Sequence, residues 1–350
     1  SKGFKMVKIS ISIPTFNRVG LLKRCLASVF AQTVPPDEII VIDDGSTDGT
    51  WEYLKSIRGI KAYRNKKNLG MIENWNETIR RAKSKFVVSL HSDDLILPDY
   101  IKNWKEKMAY ALQEEPQIAA FFSGGYIIDA SDKVMGLVQP FRKDLFLKPA
   151  NTLNVFWQNY RFYISVTGWT VYNKEIVKKV GYFTRNYEIA AENEMSLKIL
   201  PHYPVYFSCE PHFAFRRHGL QGFEGKPKKF GLDQELKNLK NGFQVFLDYE
   251  KDTAINKSFS KKEQSKRIFV RKPIAYLVPQ SFLSILRADF ARAKAYLALF
   301  RKYYPKPYFD LTTAILIFSW SFKMLRDFLR NLIVVLSYKL FSFQRISIPR

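Results

Sequence analysis

The sequence has very few cysteines. Only Cys25 and Cys209 occur among the 350 residues, and they form no CxxC motif and no cluster with histidine. Neither a disulfide framework nor a cysteine-rich zinc site is therefore indicated. This cysteine usage fits a reducing compartment, and we expect the protein in the cytosol.

Long uninterrupted apolar runs are also missing. The first residues carry no stretch that resembles a signal peptide, so we expect the first domain to begin close to Val7. Near the other end, 311–322 supplies twelve uncharged residues before Lys323. A membrane-crossing helix needs about 18 or more apolar residues, so no such helix is expected.

Acidic residues are scarce relative to basic ones. The chain has 56 Lys and Arg against 32 Asp and Glu, a net charge of +24. Residues 251–350 hold 20 basic and 5 acidic residues, a net charge of +15. A basic segment of this kind is typical of proteins that bind nucleic acid or an anionic membrane. No nucleic-acid module is recognisable, so no nucleic-acid partner is expected.

The apolar pattern of the basic segment favours a membrane surface. Near Leu325 the apolar residues recur at helical spacing, while Lys323 and Arg326 lie on another face. Basic amphipathic helices of this type lie in the plane of a membrane interface. The alternative is that the apolar stripes pack on the catalytic domain or on a second subunit. The stripe consists of Leu325, Phe328, Leu329, Leu332 and Ile333.

Strand and helix patterns alternate over the first hundred residues. The apolar runs at 7–13, 38–42, 60–63 and 86–90 are typical of strands, and helical periodicity lies between them. This alternation predicts a parallel, doubly wound sheet. Because ligands bind beyond the carboxyl ends of such strands, polar clusters after the strands are expected to converge there.

Asp93 and Asp94 follow the fourth predicted strand. Adjacent carboxylates at this place suit a hard cation that bridges diphosphate oxygens, and Mg²⁺ or Mn²⁺ would neutralise charge on a departing nucleoside diphosphate. The alternative is a solvated turn that caps the helix starting near Pro98. Neither residue type nor position decides between the two.

Two further clusters follow the first and second predicted strands. In 43–50 (DDGSTDGT), Asp44 can accept a base N–H, and the glycines allow close backbone approach. The alternative is a strand-to-helix turn with Thr47 or Asp48 as the N-cap residue. For 14–18 (PTFNR), a plain helix start is the corresponding alternative.

Taken together, the motifs resemble a known family. PTFNR, DDGSTDGT and SDD occur in order, with NLG at Asn68 between the last two and AENEMSLK at 191–198 after them. Over about residues 7–220 this set resembles the family 2 glycosyltransferases of GT-A fold. The resemblance implies an α/β domain with a mixed, Rossmann-like sheet, a divalent metal (Mn²⁺ or Mg²⁺), a nucleotide-sugar donor, most commonly a UDP-sugar, and inversion at the anomeric carbon.

The same resemblance implies roles for individual residues. Asp94 and His218 would hold the metal, and Glu192 would be the catalytic base. Glu194 is a rival base, because positions two apart on a helix point about 200° apart and only one faces the cleft. The resemblance implies donor binding by Pro14, Thr15, Asn17, Arg18, Asp44, Asn68, Asn76, Asp93 and Arg217.

Three positions depart from the family pattern. His91 stands where many relatives have a further aspartate, Trp75 replaces a common arginine, and Ala191-Glu192 replaces Glu-Asp. Because the two aspartates after His91 are retained, metal binding is expected to be kept. The base would be a longer carboxylate than in relatives.

The predicted organisation has three parts. A GT-A domain spans 7–220, a mobile loop and helical linker spans 221–280, and basic amphipathic, membrane-associating helices span 281–350. The predicted activity is transfer of a hexosyl or N-acetylhexosaminyl group to a glycan acceptor, with a polyprenyl-diphosphate-linked saccharide as the leading acceptor. The expected location is peripheral, on the cytoplasmic face of the cell membrane, in polysaccharide biosynthesis.

Two other functions compete with this prediction. A nucleotidyltransferase would be expected to carry a glycine-rich loop with a basic residue after the first strand, and PTFNR is not such a loop. A non-catalytic sugar-nucleotide or membrane-surface binding protein would tolerate the loss of Glu192. The carboxylates at Asp93, Asp94 and Glu192 argue against the second alternative.

Overall fold

The computed structural model describes residues 7–139, 141–149, 170–217 and 232–249, with a few positions between 291 and 299. The chain divides into two compact units, Ser1–Gln264 and Ser265–Arg350. No helix in the described part of the chain is long and apolar enough to cross a membrane. Most of the amphipathic segment predicted at 281–350 lies outside the described residues, as do the loop at 218–231 and residues 250–280.

Strands and helices alternate through the first hundred residues. This first half contains β1 (Ile9–Thr15), α1 (Val19–Phe30), β2 (Glu38–Asp43), α2 (Thr50–Ser56), β3 (Lys61–Arg64), α3 (Met71–Arg81) and β4 (Phe86–Ser89).

The second half is less regular. It contains β5 (Leu95–Ile96), α4 (Tyr100–Glu114), β6 (Ala120–Ile128), β7 (Val134–Val138), β8 (Leu145–Leu147), β9 (Thr170–Asn173), α5 (Lys174–Val180), a 3-10 helix (Arg185–Ala190), α6 (Ala191–Ile199), β10 (Val205–Arg216) and α7 (Leu232–Tyr249).

The described strands form one mixed sheet. Its main path runs β3-β2-β1-β4-β9-β6-β10-β5, with β7 on β6 and β8 on β10. Strands β3, β2, β1 and β4 are parallel, whereas β9 runs antiparallel to both β4 and β6. The predictions of a parallel first half and of a mixed α/β sheet overall are confirmed.

The position of β1 at the centre of the parallel strands explains why its residues are so apolar. All seven of its residues are buried, because β1 lies between β2 and β4. Ile11 and Ile13 join Leu22 and Leu26 of α1 in the main core. The helical stripe predicted for α1 therefore faces the sheet, and this packing holds the end of β1 rigidly at the cleft described below.

The elements around Glu192 and Arg216 were not predicted in full. The helix that carries Glu192 begins at Ala191 and is preceded by the 3-10 helix, for which the sequence gives no separate signal. Strand β10 is twelve residues long, and its pairing with β6 shifts register between Ser208 and Phe213. The polar residues at this bulge interrupt the alternation that normally reveals a strand.

Candidate active site

The loops after β1, β2 and β4 enclose a cleft at the carboxyl edge of the parallel strands. Its volume is about 210 Å³. The structure therefore brings together the polar clusters that the sequence places after separate strands. The cleft is lined by Pro14, Thr15, Phe16, Arg18, Asp44, Asn68, Met71, Asn74, Trp75, His91, Ser92, Asp93 and Phe215.

Asn17 joins the first two loops but does not line the cleft. Its backbone is left-handed (φ 48°), its N–H donates to Ser46 Oγ over 2.8 Å, and its Oδ1 accepts from the Thr47 N–H over 2.7 Å. Asparagine tolerates this conformation better than most residues. In this structure Asn17 therefore holds the loop that carries Thr15 and Arg18 against the loop that carries Asp44.

Asp44 is buried, and donors from the segment after β3 surround its carboxylate. The N–H groups of Leu69 and Gly70 donate to Oδ1 and Oδ2 over 2.8 and 2.9 Å, and Asn65 Nδ2 donates to Oδ1 over 2.7 Å. Gly70 has a φ of 84°, which favours glycine. Asp44 thus orders the floor of the cleft as well as lining it.

Asp94 lies beneath the cleft and is fully buried. Its Oδ1 accepts the backbone N–H of Arg216 over 2.9 Å, while its Oδ2 has no hydrogen-bond partner among the described residues. A buried carboxylate oxygen without a donor is costly, unless a ligand that the structure does not contain satisfies it. This orphaned oxygen is the strongest single sign of a cation site.

The neighbouring side chains complete a cluster of metal-binding groups. One ligand atom from each of His91, Asp93 and Asp94 lies within 4.8 Å of the others. Asp93 also pairs with Arg18 Nη1 over 2.8 Å. Oxygen and nitrogen donors at this spacing fit a divalent cation, so these residues suit the metal that the motif implies.

The electrostatics of the cluster agree with a missing positive charge. Burial raises the pKa of Asp94 well above its usual range, and the Asp93 charge raises it further, while Arg216 acts in the opposite direction. Burial lowers the pKa of His91, although Asp93 opposes that shift. A bound cation would favour the ionised carboxylate and the neutral imidazole.

Arg216 is a fully buried arginine that the sequence motifs do not single out. Its Nε donates to the Asp93 carbonyl over 2.7 Å, and its Nη1 donates to the Asp129 carbonyl over 3.1 Å and pairs with the Asp132 carboxylate. The side chain therefore fastens the acidic cluster to the β6–β7 turn. The family resemblance pointed to its neighbours Arg217 and His218 in the segment 216–218 (RRH), and the sequence did not show which of the two arginines points inwards.

The other residues of that segment lie differently. Arg217 is exposed, donates its N–H to the Ile128 carbonyl over 2.7 Å, and is not among the cleft-lining residues. His218 lies outside the described residues. The donor contact of Arg217 and the metal contact of His218 therefore stay predictions.

Asn76 links the cleft to the segment that precedes Glu192. It is buried and does not line the cleft. Its Nδ2 donates to the Phe183 carbonyl over 2.9 Å, and its Oδ1 accepts the Phe183 N–H over 3.0 Å. Phe183 in turn packs edge-on against Trp75 and Tyr172. In this structure Asn76 therefore positions Phe183, which packs behind the cleft-lining Trp75.

Glu192 and Glu194 have contrasting surroundings. Glu194 is buried; its Oε2 accepts the Thr184 hydroxyl over 2.8 Å, and its Oε1 pairs with Lys198 over 3.0 Å. Glu192 is only half-buried, and its negative charge adds to burial in raising the pKa of Tyr172. Glu192 thus lies near Tyr172, which packs against Phe183 behind the cleft-lining Trp75. Glu194, in contrast, is engaged by Thr184 and by Lys198 of its own helix.

Comparisons with known proteins agree with this architecture. Residues 10–181 match the family model described as glycosyl transferase family 2. This segment, about half of the chain, is a family 2 glycosyltransferase domain, as its motifs predicted.

One curated relative illustrates how much of each sequence the similarity covers. The dolichyl N-acetyl-alpha-D-glucosaminyl phosphate 3-beta-D-2,3-diacetamido-2,3-dideoxy-beta-D-glucuronosyltransferase of Methanococcus voltae is 28% identical over 180 residues, covering 49% of this chain and 54% of that protein. The chain spans about half or less of the length of the first curated relatives that it matches.

Solved structures show the same fold. TarS residues 1–349 of S. aureus, in complex with UDP-GlcNAc, gives a TM-score of 0.54 at 16% identity, over 87% of this chain and 93% of that one. The mannosyltransferase PcManGT from Pyrobaculum calidifontis, in complex with GDP-Man and Mn²⁺, gives 0.50 at 16% identity, over 96% and 88%. The domain therefore has the GT-A fold.

Proposed function

We propose that the protein transfers one sugar from a nucleotide-sugar donor to a saccharide acceptor, with inversion at the anomeric carbon. The orphaned Oδ2 of Asp94, beneath a cleft that the loops after β1, β2 and β4 enclose, carries this proposal. A plain structural turn would not bury a carboxylate oxygen without a donor. A diphosphate-bound cation would supply the missing partner.

The donor is proposed to be a UDP-sugar. The cleft offers backbone and side-chain groups from Thr15, Asp44 and Asn68 for a nucleoside, and Arg18 beside Asp93 for the more polar end of the ligand. The complex of TarS with UDP-GlcNAc supports uridine, since that protein shares the fold. The complex of PcManGT with GDP-Man makes guanosine the alternative that the experiment must separate.

Asp94, with Asp93, is proposed to hold a divalent cation. When bound, the cation neutralises negative charge on the leaving nucleoside diphosphate. The protein's own contribution is to place the carboxylates. The backbone N–H of Arg216 orients Asp94, and the Arg216 guanidinium orients the Asp93 carbonyl. Because these donors are already in position, little reorganisation is needed when substrate binds.

Glu192 is proposed as the general base. It takes the proton from the acceptor hydroxyl while that oxygen forms a bond to the anomeric carbon, and the bond from this carbon to the diphosphate oxygen breaks. The electron pair of the broken bond leaves with the diphosphate. The position of Glu192 near Tyr172, which packs through Phe183 on the cleft-lining Trp75, supports this role, as does the engagement of Glu194 by Thr184 and Lys198.

The acceptor is proposed to be a lipid-linked saccharide at a membrane surface. The name of the Methanococcus voltae relative describes a dolichyl-linked sugar phosphate, which supports this class. The net charge of +15 over 251–350 supports binding to an anionic surface, on the cytoplasmic side where nucleotide sugars are made. Removing residues 281–350 should release the protein from anionic liposomes in a flotation assay; continued flotation would contradict this anchor.

Calorimetric titration tests the donor class. UDP and GDP are each titrated into the 350-residue protein with and without Mn²⁺. Tight binding of UDP that requires Mn²⁺ is expected, with GDP much weaker. Preference for GDP would change the donor to a guanosine sugar, and failure of both nucleotides to bind would overturn the proposed function.

Glu192→Gln tests the base. Donor affinity should stay within about twofold while transfer falls by about 10²–10⁴-fold, the usual contribution of a general base. Glu194→Gln is the matched control, and it should mainly lower thermal stability, by about 1–3 kcal/mol, because it weakens a buried set of contacts. If Glu194→Gln abolishes transfer in folded protein and Glu192→Gln does not, the assignment of the base is wrong.

A further inference from the structure

His91 is held in a fixed orientation at the acidic cluster. Its ring stacks on Trp75 with centroids 5.3 Å apart and an angle of 14° between the planes. Trp75 is itself buried and packs edge-on against Phe183. The backbone N–H and carbonyl of Phe183 are both hydrogen-bonded to the Asn76 side chain. This chain of contacts restrains the imidazole and leaves few alternative ring orientations.

The restrained ring presents a nitrogen to the orphaned oxygen. His91 Nδ1 lies 3.7 Å from Asp94 Oδ2, which is too far for a direct hydrogen bond. Two ligands that each lie about 2.1 Å from one ion are separated by about 3 to 4.2 Å, depending on the angle between them. The observed separation therefore fits two ligands of a shared cation better than it fits a hydrogen-bonded pair.

We propose that His91 is a nitrogen ligand of the cation and makes the site discriminate against Mg²⁺ in favour of first-row transition metals. This inference rests on the proposed function. Mg²⁺ strongly prefers oxygen ligands and keeps its waters, whereas Mn²⁺ and Co²⁺ accept imidazole more readily. Trp75 is the positioning residue, since it sets the plane of the imidazole as outer-shell groups do at other metal sites.

Competition between metals tests the proposal. Mn²⁺ binding to the 350-residue protein with saturating UDP is followed by the electron paramagnetic resonance signal of free Mn²⁺, and Mg²⁺ or Co²⁺ is added as competitor. The wild type should need a large excess of Mg²⁺ to release Mn²⁺. In His91→Asp that excess should fall by about 10-fold or more, because an oxygen replaces the nitrogen.

Further variants separate ligation from folding. Trp75→Leu should weaken Mn²⁺ binding by about 10-fold, the usual effect of removing support from a ligand. His202→Asp is the matched control, since His202 is exposed and outside the cleft, and it should leave the competition curve unchanged. Thermal melts of all variants establish that each is folded.

The outcomes distinguish this inference from the function on which it rests. If the wild type binds no Mn²⁺ with UDP, the metal-dependent function fails. If the wild type binds Mn²⁺ but folded His91→Asp keeps the same preference over Mg²⁺, His91 is not a ligand and only this inference is overturned.

Discussion

Two adjacent aspartates occur at the end of β2 (Asp43 and Asp44) and two more after β4 (Asp93 and Asp94). The structure places the second member of each pair in opposite situations. Asp44 receives hydrogen bonds from Leu69, Gly70 and Asn65, so both of its oxygens are satisfied by the protein. Asp94 receives a single donor, from Arg216, and its second oxygen has none among the described residues.

The difference shows how one motif type serves two purposes. A carboxylate surrounded by backbone donors orders a loop and contributes to stability. A buried carboxylate that lacks a donor destabilises the empty site and gains most when a cation arrives. The contrast predicts that Asp44 mainly stabilises the fold and that Asp94 mainly binds the metal.

The largest expected effect is on metal-dependent binding. Asp94→Asn should weaken Mn²⁺-dependent UDP binding and transfer by about 10³-fold, since loss of metal stabilisation costs several kcal/mol. Calorimetry with and without Mn²⁺ measures the affinity. Asp44→Asn should bind Mn²⁺ almost normally once folded, and equal loss of metal dependence in both variants would break the comparison.

The second effect is on stability, where Asp44→Asn is expected to be more damaging than Asp94→Asn. Asp44→Asn should lower the free energy of unfolding by about 2 kcal/mol, because one amide oxygen cannot serve the Leu69, Gly70 and Asn65 donors together. Denaturant unfolding in EDTA measures it. Asp94→Asn should leave the metal-free stability unchanged or higher, and a larger loss there than in Asp44→Asn would contradict this assignment.

The smallest effect is the pH dependence of the metal-free protein. The folded pKa of Asp94 is raised, so the folded state holds its proton at pH values where the unfolded chain has lost it. The contribution of Asp94 to stability therefore falls as pH rises from about 4 towards the folded pKa, by at most about 1.4 kcal/mol per pH unit.

Paired unfolding curves of wild type and Asp94→Asn between pH 4.5 and 5.5 isolate this effect, because the other titrating groups are common to both. The wild type should lose stability relative to the variant as pH rises, and Mn²⁺ should reverse the trend. A difference that does not change with pH would mean that burial does not hold the Asp94 proton.

Sequence patterns located the first half of the sheet well. The predicted strands at 7–13, 38–42, 60–63 and 86–90 lie within about two residues of β1 to β4, because buried parallel strands are short apolar runs between polar loops. Strand β10 was missed because its alternation stops at Ser208 and resumes at Phe213. The two-residue β5 is too short for any periodic signal.

The candidate site was predictable in part. Thr15, Arg18, Asp44, Asn68 and Asp93 line one cleft, as expected for loops at the carboxyl edge of parallel strands. Asn17 and Asn76 do not line the cleft; their side chains instead form hydrogen bonds with the backbone of Thr47 and Phe183. A polar side chain in a motif shows hydrogen-bonding capacity, and sequence alone does not show whether a ligand or the protein's own backbone uses it.

The sequence by itself determined the order of strands and helices and the placing of acidic loops after β2 and β4, because local periodicity and turn residues encode both. The tertiary structure decided which carboxylate oxygen stays without a donor. Asp94 meets Arg216 across 122 positions of sequence, and Asn76 meets Phe183 across 107. Such partners are brought together only by the packing of the whole sheet, so the chemistry of each aspartate depends on residues that no local pattern connects.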